Sequence, residues 1–206
     1  SITELNIDVF NDKSNERIIN IMRYLISRNK MTMPSMRVLN AGINILLNKE
    51  SINPSMIWDD YCIKRYLNKL YFLDASQLEP NQNFEPINWK IKMPLRLDND
   101  GGLLKVKLVR GRGLSLNKCD QNLTIRYRIG GESIKLVGHK ITKKLKNLFQ
   151  ENHILPWVRD KIPLIYNNKA ELIGVADLWI HDDYTASKNE QGFLIDWHRK
   201  INIKHK

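Results

Sequence analysis

Apolar residues recur at helical spacing twice near the start of the chain. Ser14 precedes NERIINIMRYLISRN, where Ile18, Ile19, Met22, Leu25 and Ile26 share one face and Glu16 sits in the first turn. After MTMPS, with Ser35 as cap, Val38, Leu39, Ile43, Leu46 and Leu47 form a second stripe. Both stripes predict helices that bury one side in a core. The pattern then changes: MIWDDYCIKRYLNKLYFLD is aromatic and β-branched, broken at the turn-prone DD and NK, and predicts two or three short strands.

DASQLEPNQNFEP is polar, holds two prolines and has no period, so it reads as a linker. Beyond it the period is two. INWKIKMPLRL, the DNDGG turn and LLKVKLV alternate, and so does LTIRYRI. There Leu123, Ile125, Tyr127 and Ile129 fall on one face, with Arg126 and Arg128 side by side on the other. HKITKKLKNLFQEN reads as a helix with Ile141, Leu145, Leu148 and Phe149 inward. Its Lys140 and Lys143 lie opposite, and Lys144 and Lys146 stand on the flanks. LIYNN, AELIGVADLWI and GFLIDW read as closing strands. The expected fold class is α+β. Residues 1–75 form a small helical domain closed by a β-hairpin, 76–86 a linker, and 87–206 a compact, mainly β domain with one main basic helix.

Charge sharpens this picture. Residues 1–80 hold 10 Lys+Arg against 9 Asp+Glu, whereas the window 105–146 alone holds 12 basic residues against Asp120 and Glu132. Nearly all of the net +11 is therefore concentrated in that window. A field this one-sided draws in polyanions, with nucleic acid foremost. Cys62 and Cys119 are far apart and suit free thiols in a reducing cytoplasm, and no apolar run has membrane-spanning length. The scattered histidines (139, 153, 181, 198, 205) make no zinc spacing.

Tests for chemistry fail one after another. Gly138 is followed by His139 and lacks the glycine five residues earlier, so there is no phosphate-binding Walker loop. Gly111–Arg112–Gly113 does not extend to G-x-G-x-x-G, and Gly130–Gly131 suits a turn needing positive φ. No nucleophile elbow occurs. His181–Asp182–Asp183–Tyr184 has the residue types of a metal nuclease, but the turn-like TASKNEQG after it favours a solvent loop. Taken alone, the residues describe a binding protein with no catalytic or metal-ligating set. The candidates for RNA contact are Arg126, Arg128, Lys140, Lys143, Lys144 and Lys146, then Arg110 and Arg112 of the RGRG loop. In the first domain Arg23, Arg28, Arg37, Lys64 and Arg65 are weaker candidates.

RIGGE (128–132), KKLKNLFQE (143–151), LPWVRDKIPLIY (155–166) and ELIGVADLWI (171–180), in this order, resemble the C-terminal domain of the tRNA(Ile)-lysidine synthetase family. The helix around Arg23–Tyr24–Leu25, the MPS start at 33–35 and IKRYLNKLY (63–71) resemble that family's middle, substrate-recognition domain. Two departures stand out: Leu155 replaces the first proline of Pro-Pro-Trp, and Lys161 stands where arginine is frequent. No Gly-Gly is followed by x-Asp-Ser, so the family's amino-terminal ATP-pyrophosphatase motif has no counterpart, and the chain resembles the carboxy-terminal half of such an enzyme.

The resemblance implies a ligase as parent. It uses ATP with Mg to activate C2 of the wobble cytidine of tRNA(Ile) with a CAU anticodon. Lysine then displaces AMP, and the codon read changes from AUG to AUA. Those cofactors belong to the family's catalytic domain and none is expected here. The chain is implied to grip the tRNA body and acceptor stem in the cytoplasm, and any homodimer would form through the other half. Among the signature residues, Gly130, Gly131, Glu132, Trp157, Arg159 and Asp160 are expected to be structural, by turn fixation and an Arg159–Asp160 loop ion pair. A stand-alone, non-catalytic RNA-binding module of the same fold is the alternative.

Overall fold

The computed structural model describes residues 4–78, 85–97 and 101–199. Residues 79–84 of the expected linker and 98–100 of the DNDGG turn lie outside the described residues. Two compact units emerge, Ser1–Glu79 and Pro80–Lys206.

The first unit packs two helices on a sheet. Helices α1 (Asn15–Arg28) and α2 (Met36–Leu47) begin where the caps predict: Ser14 Oγ accepts the Arg17 N–H at 3.4 Å, and Ser35 Oγ that of Val38 at 3.3 Å. Ile18, Met22, Leu25, Ile26, Leu39, Ile43 and Leu46 are buried in one cluster with Met56, Trp58, Ile63, Leu70 and Phe72. Each such side chain contributes about 2 kcal/mol on burial, against about 1 kcal/mol for a cap. Packing decides that these helices form; capping decides where they start.

The sheet is larger than the expected hairpin. Strands β1 (Glu4–Asn6), β2 (Ser55–Trp58), β3 (Tyr61–Tyr66) and β4 (Lys69–Asp74) run in the order β1-β4-β3-β2, all antiparallel. The breaks fall at Asp59–Asp60 and Leu67–Asn68, with Asp59 and Leu67 at positive φ. The three residues of β1 are too few to show a period.

Among the described residues the second unit holds three sheets. Strands β5 (Ile87–Lys90), β6 (Leu95–Leu97), β7 (Gly102–Arg110), β8 (Leu114–Ser115), β9 (Asn122–Arg126), β10 (Ser133–Ile134) and β11 (Lys143–Lys144) precede α3 (Leu145–Glu151). After it come β12 (Leu164–Tyr166), β13 (Leu172–Val175), β14 (Trp179–Ile180) and β15 (Gln191–His198). One sheet runs β14-β13-β12-β9-β5, a second runs β6-β7-β15-β8, and β10 pairs with β11. The longest ladder joins β7 to β15 from Leu103↔His198 to Arg110↔Gln191.

Two expectations are corrected here. The basic helix begins only at Leu145, so Lys140 lies in a loop, Lys143 and Lys144 lie on a strand, and Lys146 alone is helical. Ile141 is 68% exposed and faces no core. The apolar stripe that binds the helix is Leu145, Leu148 and Phe149, which spans two turns. Upstream, β-branched Ile141 and Thr142 resist helix formation, and pairing of Lys143 with the fully buried Ile134 fixes an extended backbone instead. Second, Ile129 does not continue the inward face of β9. The strand ends at Arg126, Tyr127 is still buried, and Ile129 is 98% exposed in the following turn.

Candidate nucleic-acid interface

The RIGGE segment forms the centre of the site. Gly130 and Gly131 have φ of 108° and 89°, where a β-carbon is strained, and nothing lies within 4 Å of where one would stand. The turn is closed by Glu132, whose Oε1 accepts the N–H groups of Ile129 at 2.6 Å and Gly130 at 2.8 Å. Its Oε2 lies 3.5 Å from Arg128 Nε, and Arg128 Nη1 reaches Asp160 Oδ1 at 3.1 Å. The backbone of Glu132 also accepts the Leu145 N–H, at 2.9 Å. Glu132 thus ties the turn to Arg128 through its carboxylate and to the start of α3 through its backbone carbonyl, while Arg128 carries the link on to Asp160 in the 156–161 turn.

This geometry sorts the expected residues. Arg128 does not stand open beside Arg126: its side chain is only 20% exposed and ion-paired on two sides. The alternation puts it on the outer face, but its own turn sets Glu132 against it and the 156–161 turn sets Asp160 there. Arg126 is exposed, with its guanidinium carbon 4.9 Å from the centroid of the Tyr166 ring on the adjacent strand. Burial pushes the Tyr166 phenol up, with Glu132 adding to the effect and Arg126 opposing it. Lys143 Nζ is engaged with Glu151 Oε2 at 2.8 Å. Lys140, Lys144 and Lys146 are exposed, and no ion-pair partner holds them among the described residues.

Around the expected Arg159–Asp160 pair, each side chain has a partner elsewhere. Arg159 donates through Nε and Nη2 to the Ile154 carbonyl, at 3.0 and 2.8 Å, while Asp160 goes to Arg128. Trp157 is half-buried in that turn. The RGRG loop is anchored separately: Gly111 N–H donates to the Glu190 carbonyl at 2.8 Å. A β-carbon on Gly111 would come 2.8 Å from Lys188 O, so the loop lies close against Lys188–Gln191 and leaves Arg110 and Arg112 exposed.

Lys105 and Lys107 on β7 join the candidates, having been passed over in the sequence. They are exposed, and the Lys107 side chain is 73% so, with only a long 3.9 Å approach to Asp196. The same alternation used for β9 marks them. In the first unit, Arg65 leaves the candidate set. Its guanidinium donates to the carbonyls of Leu46 and Asn48 at 2.8 Å, and to Ser51 at 3.4 Å, closing the end of α2. Arg23 touches Met36 Sδ at 3.6 Å; Arg28 and Arg37 are exposed.

The acidic loop serves structure. Lys135 Nζ lies 3.2 Å from Asp182 and 3.8 Å from Asp183. No group of three or more His, Cys, Asp or Glu side chains is placed to hold a metal ion among the described residues. Neither thiol is activated: burial pushes Cys62 up to about 11 and Cys119 up to about 12. No described helix is long and apolar enough to cross a membrane.

Fold and charge together define a two-unit α+β protein whose excess basic groups stand exposed on its β-rich part. Residues 5–71 match the family model described as the TilS substrate binding domain, and residues 123–197 that of the TilS substrate C-terminal domain. The tRNA(Ile)-lysidine synthase of Legionella pneumophila strain Paris is 35% identical over 155 residues, covering 74% of this chain and 34% of its own length. That of Buchnera aphidicola subsp. Schizaphis graminum is 30% identical over 207 residues, covering 98% and 45%. A solved TILS C-terminal domain is similar at 18% identity and a TM-score of 0.45, over 57% of this chain and 100% of its own. The chain belongs to the tRNA(Ile)-lysidine synthase family, carrying its substrate-binding and C-terminal domains, and it spans under half the length of these two curated relatives.

Proposed function

We propose that this chain is the tRNA-gripping part of a cytoplasmic tRNA(Ile)-lysidine synthase and does no chemistry by itself. The observation that carries this reading is a set of exposed cations without carboxylate partners among the described residues: Arg110, Arg112, Arg126, Lys140, Lys144 and Lys146. An ammonium or guanidinium already paired at close range gains little from a phosphate. An unpaired one releases the counterions condensed on the nucleic acid, which is the main source of such affinity. These groups supply affinity and register along the tRNA body and acceptor stem, while base identity is left to groove contacts.

In the proposed parent, ATP with Mg activates the wobble cytidine of the CAU anticodon and lysine is attached at its C2. That anticodon is shared with tRNA(Met), so rejection of the wrong tRNA needs contacts remote from the reacting base. Such contacts are what this chain offers, by holding the stem so that the wobble base reaches the active site. The test is competition binding of the chain with tRNA(Ile) and tRNA(Met), together with a lysidine assay. Preference for tRNA(Ile) without lysidine formation is expected. Equal affinity for both and for a random duplex overturns stem recognition.

A further inference from the structure

We infer that the loop 135–142 reads the shallow minor groove of an RNA duplex, with Val137 and Ile141 seated against ribose and base edges and Lys140 and Lys144 on the flanking phosphates. The inference rests on the RNA-binding reading above and assigns it a contact element that charge alone does not reveal.

The loop is held rigidly at its base. Ser133↔Lys144 and Ile134↔Lys143 pair across β10 and β11, and Leu136 bridges to His181. The Asp182 N–H donates to the Lys135 carbonyl at 2.8 Å, and Lys135 Nζ ion-pairs with Asp182. At the tip, the His139 N–H donates to the Leu136 carbonyl at 3.0 Å, with Gly138 at φ 77° in the third position of that turn. A braced tip loses little further entropy on docking.

What it presents is unusual for a solvent loop. Val137 is 56% and Ile141 68% exposed, whereas most of the described branched aliphatics are buried or half-buried. Between and beside them stand Lys140, Lys144 and Lys146, and residues 133–146 contain no acidic residue. Apolar side chains flanked along the chain by unpaired cations complement an anionic surface with an apolar floor. An RNA duplex offers this in its wide, shallow minor groove, where ribose and base edges lie between two phosphate rows; its major groove is too deep and narrow to enter. Single strands are gripped by successive bases stacking on several aromatic rings, and this loop offers one ring, His139, and no Phe, Tyr or Trp.

The test measures binding of the full chain to a short RNA duplex and to its all-deoxy counterpart across a salt series. Val137→Ser with Ile141→Ser is expected to weaken RNA binding about five- to tenfold, with the salt slope unchanged and stability unaffected. Lys140→Gln with Lys144→Gln is expected to lower the slope by about 0.9 per lysine. The deoxy duplex should bind more weakly and be insensitive to the serine pair. Unchanged RNA affinity in the serine variant overturns the inference, as does an equal loss on the deoxy duplex. It is also overturned if the serine pair lowers the melting temperature or alters sedimentation, because the loop is then covered by protein. A wild-type chain that binds no RNA overturns the proposed function as well, so the two failures are distinguishable.

Discussion

Replacing Glu132 by alanine removes the carboxylate that closes the turn and faces Arg128, and leaves the backbone carbonyl that accepts from Leu145 in place. Two N–H groups, of Ile129 and Gly130, lose a carboxylate acceptor at 2.6 and 2.8 Å. Bonds to a charged group are worth about 1.5–3 kcal/mol each when no solvent can replace them. Here Ile129 is 98% exposed, so water recovers part of that, and about 1 kcal/mol per bond is the fitting figure. Arg128 loses one of its two carboxylates while its side chain stays only 20% exposed, which adds about 1 kcal/mol. The sum is about 2–3 kcal/mol, or a fall in melting temperature of about 6–15 °C for a domain of this size. Glu132→Gln keeps an oxygen for the two N–H groups but loses the charge facing Arg128, so its effect should be roughly half. Urea unfolding followed by tryptophan fluorescence, with calorimetry, reads both. A loss below about 0.5 kcal/mol for Glu132→Ala would refute the role of this carboxylate as the clasp of the turn.

Arg65→Met removes the guanidinium bonds to the carbonyls of Leu46, Asn48 and Ser51, of which Asn48 keeps the Ser51 N–H, and should lower first-unit stability by about 2 kcal/mol in denaturant titration. Gly42→Ala places a β-carbon 2.1 Å from Met56 Sδ, forcing Met56 to move at a loss of about 1–3 kcal/mol by the same measurement. Hydrogen bonds from Tyr184, then Asn167, hold the Glu171 carboxyl below its ordinary value, so its contribution is present above the unfolded carboxyl range and is lost as pH falls through the lowered value. Acid titration of stability should therefore lose steepness in that range with Glu171→Gln. Burial raises both thiols to about 11 and 12, so at pH 8 a thiol reagent should label them slowly in the native protein and rapidly in denaturant.

The parts of this fold legible in the sequence are those set by local repetition. Ser14 and Ser35 with their apolar stripes gave two helices because cap and stripe agree, and the DD and NK breaks divided three strands. The lysine segment was misread because Ile141 mimics a helical core position, whereas the deciding contact, Ile134 against Lys143, lies across a loop from it. Arg128 shows the same limit at the site. Period two marks it as outward, but whether an outward arginine is open or clasped depends on Asp160, brought in from a distant turn. Arg65 likewise became a helix-closing group only once α2 and β3 met. The basic window itself needs no folding to be seen, which is why partner class was easier to read than individual contacts.

The most direct measurement is the salt dependence of tRNA binding by the wild-type chain and by Lys140→Gln, Lys144→Gln, Lys146→Gln combined, using fluorescence anisotropy. The wild type should show a steep linear fall of log affinity with log salt, and the triple variant a slope shallower by about 0.9 for each phosphate contact removed, with folding unchanged. The same slope and affinity in both proteins would contradict the claim that these unpaired lysines hold the RNA.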